Sequence, residues 1–439
     1  MDRGHLAVVV GAGRSGLAAA RLLADRGARV RLLDRNPAAL SDAEVRDLAS
    51  CGVETILGPH EPGHFRGAVR VVPSPGMPVA QLLPLLSDLG GAGPEVLAEM
   101  ELAFRCLGNE PLVAVTGTSG KTTTTSLAAA MLESAGMTVF LGGNIGTPLS
   151  EHVLSGKRVD ALVLEVSSFQ LQTCTSFRPQ VGVLLNVSPN HQDYHKDMAE
   201  YVDAKFRLFL RQMPRDRAVF GPGLETLVAG YPVRARKIFF RDEGRFPESR
   251  LLGVHNRLNA EAAWQACRPL GLDLRDAERA VAAFAPLPHR LETVGSLGGV
   301  GYVNDSKCTT VSSLEVALRS FDVPVHLLCG GKFKGGDLPG LRDLVRERVR
   351  DVALFGDGRE HFERAWDGVA SMTWHPDMEG AFARAASLAR PGDVVLLAPA
   401  TASFDLYDNY KERGEHFRRL VRERADAAGG SGAAEGKAC

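Results

Sequence analysis

Short apolar runs recur along this chain, and most of them end in glycine-rich or polar residues. Those at residues 6–10, 30–33, 69–72, 113–116, 139–141, 161–166, 181–187, 325–329, 352–355 and 394–397 are rich in Val, Leu and Ala and have the length of strands. Residues 17–24, 95–107, 126–135, 201–210 and 260–266 carry apolar positions at helical spacing. Strand and helix therefore alternate, which predicts an α/β protein of open sheets whose ligands bind in the loops after the strands. Breaks near residue 99 and at Leu287-Pro-His-Arg290 divide the pattern into three domains, 1–99, 100–287 and 288–424. Residues 425–439, rich in Ala and Gly, are expected to be a disordered tail.

The loops carry the chemistry. Val113 to Thr125 reads V-A-V-T-G-T-S-G-K-T-T-T-T, a strand, a glycine-bounded turn and a helix start. Gly117 and Gly120 let backbone N–H groups turn inward around phosphate oxygens, where the positive end of the following helix adds attraction. Lys121 then meets the outer phosphates and Thr122 a magnesium ion. Val115 stands where the general phosphate loop has its first glycine, so the pattern is the shorter T-G-T-x-G-K-T. Earlier, Gly11-Ala-Gly13-Arg-Ser-Gly16 follows the first strand, and Asp34 closes the second. That is a dinucleotide fingerprint and suggests a nicotinamide dehydrogenase as one rival; the fold licenses a nucleotide crevice, however, and not hydride chemistry. Pro73-Ser-Pro-Gly76 is a rigid turn at a strand end, equally readable as a ligand contact or a plain turn.

Glu165 ends an otherwise apolar strand, where a carboxylate is costly unless paired. Beside a phosphate loop its usual partner is magnesium. Asn144, in G-G-N-I-G, offers an amide to a phosphate or sugar, although asparagine also tolerates positive φ in turns. His191 and His195 follow the strand at 181–187, with His191 placed for a second metal or substrate and His195 readable as a surface histidine. Lys205 lies among apolar residues and by spacing alone is expected to snorkel to water. Asn256 suits a helix N-cap.

Composition narrows the class. Lys plus Arg (51) nearly balance Asp plus Glu (52), so no strong field points to nucleic acid or an anionic membrane. A 45% hydrophobic content fits a soluble globular protein, and no apolar run reaches membrane-spanning length. The seven cysteines are scattered and never form C-x-x-C, as expected of reduced thiols in a cytoplasmic protein.

Taken together, T-G-T-S-G-K-T-T-T-T, G-G-N-I-G, L-E-V-S-S-F-Q-L, L-N-V-S-P-N-H, H-N-R-L-N-A, L-P-H-R, N-D-S-K-C-T, G-G-K-F-K-G-G-D and the segment from Ser403 to Phe417 resemble the Mur ligases of peptidoglycan synthesis. The resemblance runs in order from about residue 7 to residue 422. It implies a Rossmann-like first domain, a central phosphate-loop ATPase domain and a Rossmann-like third domain. The N-D-S-K and G-G-K-x-K-G-G-D loops, with S-F-D-x-Y-x-N-Y, imply the branch that adds D-glutamate to UDP-N-acetylmuramoyl-L-alanine through an acyl phosphate, in a cytoplasmic monomer. The implied ATP site is Gly117, Thr118, Ser119, Gly120, Lys121, Thr122 and Thr123, with Asn256, Asn259, Arg290, Asp305 and Lys307 around adenine, ribose and phosphates. Two Mg2+ ions are implied, held by Thr122, Glu165, His191 and Lys205, the last as a carbamate. Ser15, Asp34 and Arg35 would lie near uracil, Ser74 and Gly76 near the pyrophosphate, and Asn144 near the sugar-peptide. Thr309, Lys334, Ser403, Phe404 and Tyr410 would form the D-glutamate pocket. Asn190, Tyr194 and Thr310 depart from the usual family residues. Other readings are a diaminopimelate- or lysine-adding relative, a folylpolyglutamate synthase-like ligase, and a phosphate-loop switch that only hydrolyses nucleotide.

Overall fold

The computed structural model describes residues 3–87, 93–189 and 194–427. They form three α/β sheets. In the first, β1 (Leu6–Val10), β2 (Arg29–Asp34), β3 (Val53–Leu57), β4 (Ala68–Pro73) and β5 (Glu95–Val96) run parallel in the order β3-β2-β1-β4-β5. Val10 pairs with Leu33 on one side and Pro73 on the other, so the segments after β1, β2 and β4 leave from one edge.

The second sheet contains β6 (Leu112–Thr116), β7 (Val139–Gly143), β8 (Ala161–Glu165), β9 (Val181–Leu184), β10 (Arg217–Phe220) and β11 (Arg236–Phe239), all parallel in the order β11-β10-β9-β6-β8-β7. Every residue of β6, β8 and β9 is buried, as parallel strands covered on both faces must be. β6 lies between β8 and β9, which sets Val115 against Glu165 and Thr116 against Leu184.

The third sheet has β12 (Glu292–Leu297), β13 (Val300–Asn304), β14 (Val325–Gly330), β15 (Val349–Phe355), β16 (Ser371–His375) and β17 (Val394–Leu397) in the order β12-β13-β17-β14-β15-β16. Only β12 is antiparallel. Its strands alternate cleanly between two cores: Leu327, Leu354 and Leu396 enter one, and Leu328, Ala353 and Val395 the other.

The chain packs as two compact units, residues 1–245 with 258–281, and residues 246–257 with 282–439. The first two sheets share the first unit because one apolar cluster runs through both, from Val9 and Leu32 through Met100 and Leu102 to Ala114 and Leu164. Glu101 secures this linking helix, Glu99–Phe104, by accepting from the Phe177 N–H at 2.9 Å and from Arg105 Nε at 2.9 Å. A buried carboxylate so fully satisfied costs little and fixes where the helix sits.

Two expectations change here. The helix read over residues 95–107 is an edge strand at Glu95–Val96 followed by a shorter helix, because Arg70 and Val71 of β4 capture Glu95 and Val96 as ladder partners. The start of the tail is helical, since Tyr410–Ala427 is one helix; residues 428–439 lie outside the described residues. The described cysteines are free thiols, and no described helix is long and apolar enough to cross a membrane.

Candidate active site

β6 delivers its chain into the turn that precedes the helix Lys121–Ser134. Gly120 caps that helix at φ 81°, in the left-handed region, and a Cβ there would stand 2.4 Å from Asn259 Oδ1. Glycine is therefore required on both counts. We expect Gly120→Ala to weaken nucleotide binding and to lower the unfolding free energy by about 1–3 kcal/mol, measured by ADP titration and urea unfolding; unchanged values in both would refute this reading of the loop.

Asn186, after β9, organises the same turn: its Oδ1 accepts from the N–H groups of Thr118 (3.1 Å) and Ser119 (2.9 Å). Thr118 Oγ1 is shared by Tyr201 Oη (3.0 Å) and the Ser188 N–H (3.0 Å). Lys121 folds over the turn and donates from Nζ to the carbonyls of Gly117 (2.9 Å) and Thr118 (3.0 Å). Thr123 is buried in the first turn of the helix, and Thr124 Oγ1 donates to Asn259 Oδ1 at 3.2 Å.

Glu165, at the end of β8, is buried and takes one hydrogen bond on each oxygen: Thr122 Oγ1 to Oε2 at 2.7 Å and Asn144 Nδ2 to Oε1 at 2.7 Å. Hydroxyl and carboxylate oxygens are the hard donors that magnesium takes, together with phosphate and water, so this pair fits the ion. Among the described residues, no three His, Cys, Asp or Glu side chains gather into a metal cluster. His191 lies outside the described residues.

Lys205 contradicts the expectation that it snorkels. It sits on the inner face of the helix Met198–Phe206, is 1% exposed, donates from Nζ to the Gly117 carbonyl at 2.9 Å and lies 4.4 Å from the centre of the Tyr201 ring. Burial, with the Lys121 charge adding to it, pushes its amine down to about 6. The helix presents Tyr201 and Lys205 one turn apart on the same side, a spacing that could have marked both as interior. His195 is not a surface residue either: it is buried, its Nε2 lies 2.9 Å from Ser168 Oγ, and it packs against Phe169, Tyr194 and Tyr201. Tyr194 stacks on Phe169 at 3.8 Å and donates from its hydroxyl to the Met77 carbonyl at 3.2 Å. A small recess there is lined by Ser74, Pro75, Met77, Gln170 and Tyr194 among others.

At the first sheet's edge, a Cβ on Gly11 would come within 2.6 Å of Ser74 Cβ, and one on Gly16 within 1.9 Å of the Gly11 carbonyl oxygen. The fingerprint glycines thus serve close approach between the turn and its surroundings. Asp34 accepts from the Ala12 N–H at 2.7 Å and the Asn36 N–H at 2.9 Å, so its carboxylate ties the glycine turn to the end of β2. Ser15 is half-buried, Arg35 and Gly76 are exposed, and the Ser74 N–H donates to the Val10 carbonyl at 2.7 Å.

In the second unit, Asn256 is not an N-cap: the helix begins at Val254, and Asn256 Nδ2 donates back to the Leu252 carbonyl at 2.8 Å. Asp305 follows β13, is buried, accepts from the Leu291 N–H at 3.2 Å and is pushed up to about 7 by burial. Lys307 Nζ lies 4.1 Å from the centre of the Tyr410 ring, and its N–H donates to the His289 carbonyl at 3.1 Å, beside half-buried Arg290. Lys332 and Ala402 exchange backbone hydrogen bonds at 3.0 Å, which lays the loop with exposed Lys334 beside buried Ser403 and exposed Phe404. Half-buried Thr309 lies between Cys308 and the N-cap Thr310.

Arg413, absent from the expected set, is wholly buried and donates to Ser306 Oγ (3.1 Å), the Ser306 carbonyl (2.9 Å) and the Thr401 carbonyl (3.1 Å). It thereby joins the Asp305–Lys307 turn to the Thr401–Ser403 loop. The signal for it was helical spacing, since Phe417, Leu420 and Val421 continue the same buried face.

The sequence matches three domain families in chain order: Mur ligase MurD-like, N-terminal domain, at residues 5–97; Mur ligase middle domain, at 115–222; and Mur ligase, glutamate ligase domain, at 289–401. It is 63% identical over 420 residues, 95% of this chain and 96% of the relative, to a UDP-N-acetylmuramoylalanine--D-glutamate ligase of Desulfovibrio desulfuricans. A ligase of the same name from Geotalea uraniireducens is 42% identical over 448 residues, 96% of this chain and 98% of that one. Among solved structures, MurF ligase from Thermotoga maritima in complex with ADP shares the fold at a TM-score of 0.62 and 19% identity, covering 90% of this chain and 96% of its own. The UDP-N-acetylmuramate-alanine ligase MurC of the same organism does so at 0.56 and 14%, covering 97% and 99%. Agreement over nearly the full length, with the three domain matches in order, means that the chain belongs to the Mur ligase family.

Proposed function

We propose that this chain is the ATP-dependent ligase that joins D-glutamate to UDP-N-acetylmuramoyl-L-alanine in the cytoplasmic assembly of peptidoglycan precursors, acting as a monomer on small-molecule substrates. Its sequence identity to ligases of that name supports the substrates. One observation carries the chemistry: Lys121 and Lys205 both reach the Gly117 carbonyl of the phosphate loop, while Thr122 at the end of that loop donates to Glu165 of β8, which Asn144 holds from its other oxygen.

The reaction first brings two anions together. The substrate carboxylate attacks the γ-phosphorus of ATP, an O–P bond forms, and the bond to ADP breaks. The D-glutamate amine then attacks the acyl carbon, the C–O bond breaks, phosphate leaves and the amine releases a proton. Lys121 and the N–H groups that open its helix would stabilise charge on the phosphates, and fixed charges and dipoles of this kind supply most of the rate enhancement in such transfers. Thr122 and Glu165 would hold magnesium, which when bound screens the phosphoryl oxygens. His191 and carbamylated Lys205 belong to a second magnesium in this proposal. Asn256, Asn259, Arg290, Asp305 and Lys307 are assigned to the adenosine end of ATP. Ser15, Asp34, Arg35, Ser74, Gly76 and Asn144 are assigned to the uridine-linked substrate, and Thr309, Lys334, Ser403, Phe404 and Tyr410 to D-glutamate. The division at residues 99 and 287, with 425–439 as a tail, is part of the same proposal.

Phosphate release with ATP, magnesium, UDP-N-acetylmuramoyl-L-alanine and a panel of amino acids tests it. D-Glutamate should drive release and yield a new amide. Activity with meso-diaminopimelate but not D-glutamate would move the chain to another branch, and steady turnover without any amino acid would make it a nucleotide switch.

A further inference from the structure

The fingerprint turn G-A-G-R-S-G carries an arginine at the position where its helix begins. The Arg14 side chain is exposed, but its guanidinium already has partners. Nε donates to Glu151 Oε1 at 3.0 Å, Nη2 to Glu151 Oε2 at 3.0 Å and to Thr147 Oγ1 at 3.4 Å, and Nη1 to the Gly146 carbonyl at 2.8 Å. A planar fork engaged bidentately on a carboxylate, with a carbonyl and a hydroxyl besides, fixes its partners' directions as well as their distance.

Those partners belong to the segment that supports the phosphate-loop cradle. The Thr147 carbonyl accepts from the Gly143 N–H at 3.1 Å, and the Asn144 N–H donates to the Glu165 carbonyl at 2.8 Å while its side chain holds Glu165 Oε1. Residues 142–146 read G-G-N-I-G, a stretch with little intrinsic stiffness. Arg14 holds its far end from the first sheet; Glu165 holds its near end from the second. Fold stability does not need the contact, because Ala19 of the Arg14 helix and Leu149 of the Glu151 helix are already buried in one core, and exposed ion pairs add little.

We propose that Arg14 is a positioning residue that sets the span between the uridine-binding turn and the Asn144–Glu165 cradle, so that a substrate held at its nucleotide end presents its carboxylate at the phosphate loop. This rests on the ligase reading above. A substrate gripped at both ends gains from each grip only if the separation is right, and a displacement of about 1 Å at the reacting end costs on the order of a hundredfold in rate.

Arg14→Leu, Glu151→Gln and the double variant test this in the full-length protein. UDP affinity by calorimetry should stay within about twofold of the parent, since the Arg14 guanidinium is spent on Glu151, Thr147 and Gly146 and the glycines of the turn are kept. The kcat should fall about ten- to a hundredfold in each single variant, and the double should be no worse than either, as for residues acting as one unit. Hydrogen exchange at residues 142–148 should speed up in all three, while residues 117–120 stay as they were. A loss of UDP affinity in Arg14→Leu but not in Glu151→Gln would make Arg14 a phosphate ligand and overturn the proposal. Unchanged exchange at 142–148 would overturn it whatever the activity. A parent protein that binds UDP yet forms no amide would instead sink the ligase reading and leave the exchange result to decide this one.

Discussion

Lys205→Ala should abolish ligation, with kcat down about a thousandfold or more, and formate, acetate or propionate should restore part of it. The effect follows from where the amine sits. It is buried, bonded to the Gly117 carbonyl and beside the Lys121 charge, and its pKa falls to about 6. At neutral pH most of it is therefore the free amine, the form that in the proposed reading would add carbon dioxide, lose a proton and become an anionic carbamate. That change replaces repulsion from Lys121 by attraction and creates an oxygen ligand where the unmodified side chain offers only a donor. A small carboxylate entering the alanine cavity supplies the same charge.

Two pH signatures accompany it. As pH falls through about 6 the amine protonates and a carbamate on it would be lost, so activity should fall there and extra bicarbonate should move the midpoint lower. The folded amine is also below its unfolded value of 10.5, so the unfolded chain binds more protons between about 6 and 10.5 and unmodified protein gains stability as pH rises through that window. Lys205→Met should consequently raise Tm most near pH 6, with the gain shrinking toward pH 10, and calorimetry would show this even in an inactive variant. An alanine variant with full activity would remove the carbamate from the mechanism.

Glu165→Gln is the second large effect. The amide keeps the size of the side chain but loses its charge and turns a donor toward either Thr122 Oγ1 or Asn144 Nδ2, which now donate to it at 2.7 Å each. The kcat should drop by about two to three orders of magnitude, the range seen when one fixed electrostatic contact is removed, and the magnesium concentration for half-maximal rate should rise more than about tenfold. Circular dichroism and urea unfolding would separate this from misfolding. Near-normal rates at low magnesium would exclude Glu165 as a ligand. The same measurement on Thr122→Val should show a smaller shift in the same direction.

Much of the site could be read from the chain because its parts are local. The turn from Gly117 to Thr122, the glycines after β1 and the acidic ends of β2 and β8 each declare themselves within a few residues, since backbone conformation and the burial of a single strand are short-range properties. The edge strand Glu95–Val96 has a helical local pattern, because what makes it a strand is its ladder partner in β4, some 25 residues earlier. The roles of Asn186 and Arg413 are not legible locally for the related reason that their partners are distant: Thr118 is 68 residues from Asn186, and Ser306 is 107 from Arg413.

The sequence alone determined the alternating α/β class, the phosphate loop, the nucleotide-type first turn and the family to which those motifs point. Only the tertiary structure decided that Lys205 is interior rather than at the surface, that His195 is packed among aromatic rings, that Asn256 bonds back into its own loop, and that Arg14 binds the segment leading to Glu165. The physical reason is strand order. Placing β6 between β8 and β9 brings Thr122, Glu165 and Asn186 to one edge, and which strands become neighbours is settled by how whole faces pack, a property that no window of the chain contains.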